Sequence, residues 1–125
     1  MNKRERKRQR QEEDLRKAEE DFKWPLLASK TLRAPGAFDD LGISIAGVKI
    51  IPNFNGSPER LFCWFILGTA REKRVAETMA GEIEAKARRL LAQTEFPAAA
   101  IPSFSFGYAC QPDIDAAGGP FNFFR

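Results

Sequence analysis

The stretch 61–94, LFCWFILGTAREKRVAETMAGEIEAKARRLLAQT, decides the fold. Its first seven residues, Leu61 to Leu67, are apolar on both faces of an extended chain. That pattern predicts a central strand covered on both sides. Gly68-Thr69 then opens a helix. Thr69-Ala-Arg-Glu72 has the spacing of a capping box, in which the Thr69 hydroxyl accepts from the amide of residue 72 and the Glu72 carboxylate reaches back to the amide of Thr69. At 100° per residue, Val75, Ala76, Met79, Ala80, Ile83, Ala87, Leu90 and Leu91 fall within roughly 160° of one another. The spacing predicts one long helix from Thr69 to about Thr94 with this stripe on a sheet, ended by Pro97. On its outer face Thr78, Gly81, Ala85 and Ala92 form a small-residue patch, read either as a tolerated glycine on a solvated face or as a groove where another segment packs.

Upstream, Ile43 to Phe54 reads as a strand. Its apolar phase slips at Gly47, which suggests a bulge, and Pro52 suits an edge position. Asn55-Gly-Ser-Pro-Glu59 is hairpin-loop chemistry. Downstream, Ser103 to Cys110 alternates, with Phe104, Phe106, Tyr108 and Cys110 on one face. Gln111 to Gly119 reads as a short helix with Pro112 in its first turn. Pro120 to Arg125 reads as a final short strand. The expected fold is an α+β two-layer sandwich: a four-stranded, mainly antiparallel sheet in the order β-β-α-β-short α-β, with one long helix on one face.

A charged helical arm precedes this domain. Residues 2–22 are nearly all helix formers, with Leu15, Ala18 and Phe22 as one thin apolar stripe. The helix is expected from about Glu5 to Phe22, stopped by Trp24-Pro25. Residues 25–42 read as a connector anchored by Leu26 and Leu27. The expected organisation is therefore an arm over 1–24, a connector over 25–42 and a single domain over 43–125.

Charge is uneven. Residues 1–10 carry six Lys or Arg against one Glu, while residues 11–24 carry three basic and six acidic groups. The pI of about 9.1 thus reflects a short tail, not a basic domain. The chain has no His, which removes imidazole metal ligands and Ser-His or Cys-His nucleophiles. Cys63 and Cys110 lie in apolar runs and read as buried, reduced thiols, with a disulfide between adjacent strands as the lesser alternative. No apolar run approaches a membrane span, and the charged N-terminus does not read as a secretory signal.

Three places can carry function. The helix start at Thr69, with Arg71, Lys73 and Arg74, can hold an anion on its free amides. Lys3, Arg4, Arg6, Lys7, Arg8 and Arg10 can contact a nucleic-acid backbone, although no aromatic side chains interleave them. Asp39, Asp40, Asp113 and Asp115 are the carboxylates outside the long helices that can converge, although turn and helix-start chemistry explains them as well. The composition predicts a cytoplasmic, non-enzymatic protein–protein interaction or accessory domain without metal or cofactor, working as a homo-oligomer or with a foreign partner. The alternatives are a nucleic-acid-associated protein using the arm and a small anion binder at Thr69.

Overall fold

The central strand pairs on both sides, as its two apolar faces require. The computed structural model describes residues 2–53 and 55–124, with backbone alone over 14–21. Strand β2 (Phe62–Leu67) lies between β1 (Gly47–Ile51) and β3 (Ser105–Cys110). β1 runs antiparallel to β2, and β3 runs parallel to it. The sheet is therefore three-stranded and mixed, which corrects the expected four-stranded, mainly antiparallel one. Two physical causes account for the difference. The helices between β2 and β3 carry the chain back to the end where β2 began, so β3 enters as the parallel strand of a crossover. The expected fourth strand is a helical turn, α6 (Pro120–Phe123). Gly118 and Gly119 before it both have positive φ, and Pro120 opens the turn with a preset helical φ.

The strand expected from Ile43 begins only at Gly47, so no ladder precedes that glycine for a bulge to interrupt. The Ala46 amide donates to the Ile66 carbonyl at 2.8 Å, while Gly47 is the residue registered opposite Ile66. β1 is shorter than the expected strand, and Phe54 lies outside the described residues.

Alternation along β2 sorts the sheet into two faces. Cys63, Phe65 and Leu67 are fully buried on one face. Phe106, Tyr108 and Cys110 of β3 are registered opposite them, as the alternation of 103–110 predicted. Phe106 stacks on Phe65 with centroids 5.6 Å apart, and Phe38 meets Phe65 edge-on at 5.4 Å. On the opposite face lie Phe62 and Trp64, with Phe123 and Phe124 packed on Trp64.

The long helix divides in two: α3 (Ala70–Thr78) and α4 (Ala80–Ala92). Met79 leaves the helical region at φ −109°, ψ 17°, and the Thr78 hydroxyl donates to the Val75 carbonyl at 2.6 Å. That hydroxyl competes for a helical acceptor beside the break. α3 packs on β2 and β3, whereas α4 packs on α2 (Lys23–Leu32). Ala76, Ile83, Ala87 and Leu91 are buried, but Val75 is 47% exposed. Gly81 faces open space, which leaves the small-residue patch as a solvated face.

Residues 25–42, expected as a connector, contain most of α2. The arm helix does end at Asp21, one residue short of the expected Phe22, but Pro25 does not keep the chain that follows out of helix. It occupies the first turn of α2, where a missing N–H costs nothing. Ala28 and Leu32 are buried against the core, so this helix is part of it. Ahead of α2 stands α1 (Lys3–Asp21), which begins earlier than expected, with Asn2 accepting at its start from the Glu5 amide. The side chains of Leu15 and Ala18 lie outside the described residues. Arg125 does as well.

Candidate functional site

At Thr69 the helix is capped by Thr69 and Glu72 themselves, with the Glu72 carboxylate meeting the Thr69 hydroxyl instead of its amide. Thr69 Oγ1 accepts from the Glu72 amide at 3.1 Å and donates to Glu72 Oε1 at 3.2 Å. The helix dipole favours an anion at this end, and the Glu72 carboxylate fills that role beside Gly68. The three cations diverge. Lys73 Nζ lies 4.0 Å from Asp113 on α5 (Gln111–Ala116). Arg71 lines an open recess of about 300 Å³ with Val75, Leu67 and the 42–44 segment. Arg74 is exposed. The structure thus brings Thr69 and Glu72 together but does not gather Arg71, Lys73 and Arg74 around one point.

The aspartates also disperse. Asp40 pairs with Lys86 at 3.0 Å, and this hydrogen bond holds its carboxyl below the usual value. Asp115 accepts from Gln111 at 2.9 Å. Among the described residues no group of three Cys, Asp or Glu side chains is placed to hold a metal ion. Both cysteines are free and buried, and burial alone pushes the Cys63 thiol strongly up, away from thiolate chemistry. Arg88 on α4 is committed to structure. It donates to the Phe104 carbonyl at 3.0 Å and lies over the Phe106 ring.

The basic residues of the arm are presented together. Lys3, Arg4, Arg6, Lys7, Arg8 and Arg10 all lie on the first two turns of α1, and all are exposed. Lys3, Arg6, Lys7 and Arg10, at i, i+3, i+4 and i+7, share one side and surround an open recess of about 480 Å³. Like charges at these spacings each destabilise a helix by roughly 0.2–0.5 kcal/mol. They also stand at the positive end of the helix dipole, where cations are disfavoured.

A second surface was not legible from the sequence. Where α1 meets α2, Phe22 is 42% exposed and Leu26 is 61% exposed. Together with Pro25 they line a groove of about 280 Å³ against Val48, Lys49 and Ile50 of β1 and Pro52 just beyond it. The sequence signal was the i, i+4 spacing of Phe22 and Leu26, but Leu26 read as a core anchor. The residues that α2 buries are Pro25, Ala28 and Leu32, with Leu27 packed partly against the core as expected.

Comparison with protein-family models, with curated proteins and with solved structures returned no match. Among the described residues no helix is long and apolar enough to cross a membrane.

Proposed function

We propose that this chain is a small non-enzymatic interaction domain whose docking surface is the exposed face of α2 beside the β1 edge, and whose partner is a second copy of itself. The exposure of Phe22 and Leu26 around one groove carries this reading. Neighbouring uncovered apolar side chains favour association, because covering them removes apolar area from water. A two-fold axis through α2 sets Phe22, Leu26 and Ser29, at i, i+4 and i+7, against the same stripe of the partner. Such a contact is self-complementary by construction. Lys49 is exposed at the middle of β1 and discourages strand-to-strand pairing along that edge, which leaves the helix face as the contact.

Light scattering across a concentration series tests the proposal. The full chain is expected to approach twice its monomer mass as concentration rises, and Leu26→Glu is expected to remain at monomer mass. A full chain of monomer mass at every concentration would overturn the self-association.

A further inference from the structure

We infer that the basic face of α1 is a docking site for the phosphodiester backbone of duplex nucleic acid, separate from the α2 face. On α1 Lys3, Arg6, Lys7 and Arg10 fall within about 100° of one another, Arg4 and Arg8 widen the basic arc to about 200°, and Glu5, Gln9, Glu12 and Glu13 occupy the remainder. The helix is therefore divided by charge around its circumference, not merely basic on average. From Asn2 to Glu13 there is no apolar side chain. Helix pairing requires an apolar seam and insertion into a membrane surface requires an apolar face, and this segment offers neither. A phosphate backbone requires only cations at a matching density. Lys3 to Arg10 spans about 10 Å of helix axis, and duplex DNA carries about one phosphate charge per 1.7 Å. Four to six of these cations can therefore each meet a phosphate. Such docking also removes the like-charge crowding that the bare helix carries.

The full chain titrated into a fluorescein-labelled duplex, followed by anisotropy at several salt concentrations, tests this. The affinity is expected to fall linearly on logarithmic axes with a slope of about −4 to −5, from about −0.9 per phosphate neutralised. The double variant Arg6→Gln/Arg10→Gln should reduce that slope by about 2, and Arg33→Gln, at the end of α2, should leave it unchanged. Helicity by circular dichroism confirms that α1 persists in the variants. Absence of duplex binding at low salt would overturn the proposal, as would a slope unaffected by the double variant. Equal binding to polyglutamate would also overturn it by assigning the face to an acidic polypeptide. Leu26→Glu leaves the arm intact, so failure of self-association and failure of nucleic-acid binding are read separately.

Discussion

At Gly107 a single added atom has a calculable consequence. It lies in β3 opposite Trp64, and the Phe62 and Trp64 rings lean over it. A Cβ at this position would stand 2.9 Å from both rings. Gly107→Ala is therefore expected to destabilise the fold by about 1–3 kcal/mol through overpacking, read as a lower urea midpoint at unchanged slope. The sequence shows a glycine in a strand, but the rings that require it come from a strand more than forty residues earlier.

Tyr108 gives a second prediction at this scale. Its hydroxyl donates to Glu84 Oε2 at 3.2 Å, and burial, followed by the Glu84 charge, pushes its ionisation well above the ordinary value. Above about pH 10 the unfolded chain releases this proton while the folded chain retains it. The folded state then binds more protons, so stability is full below that pH and falls as pH rises. Tyr108→Phe should flatten this alkaline decline in denaturation curves. A decline of unchanged steepness would show that Tyr108 is not its source, leaving the buried Cys63 thiol, which acts in the same direction.

At the scale of elements, the division between α3 and α4 separates what the sequence shows from what it hides. The cap at Thr69 was legible because it depends on residues three apart. Thr69→Ala should cost about 1 kcal/mol. The break at Met79 was not legible, because the apolar stripe continues through it and no proline marks it. Gly81, just beyond the break, has ordinary φ and open space where a Cβ would stand. Gly81→Ala should stabilise by about 0.5–1 kcal/mol through helix propensity. A loss of stability would instead reveal something packed on that face. That a second helix opens across Trp24-Pro25, after the first has ended at Asp21, was not legible for a related reason. Proline ends a helix from within but is accommodated in a first turn, and the sequence does not show which of the two applies after Trp24.

At the scale of the whole molecule, the mixed sheet follows from where the helical crossover returns the chain, a non-local outcome that residue patterns do not encode directly. The central strand and the alternation of 103–110 were legible, since each is a local periodicity. The direction of β3 and the helical ending at Phe123 were not. The two candidate surfaces divide in the same way. The basic face of α1 could be read from composition, because nothing in residues 2–13 competes with charge. The Phe22–Leu26 face could not, because its exposure depends on which side of α2 meets the core.

The interaction face on α2 is the central claim, and cross-linking at position 26 tests it most directly. Both native cysteines are buried, so an introduced surface thiol reports alone. Under mild oxidation Leu26→Cys is expected to form a disulfide-linked dimer rapidly, because a two-fold contact through α2 brings the two copies of this position together. Thr78→Cys, exposed on α3, should form one only slowly. Equal rates at the two positions would contradict the assignment of α2 as the interface.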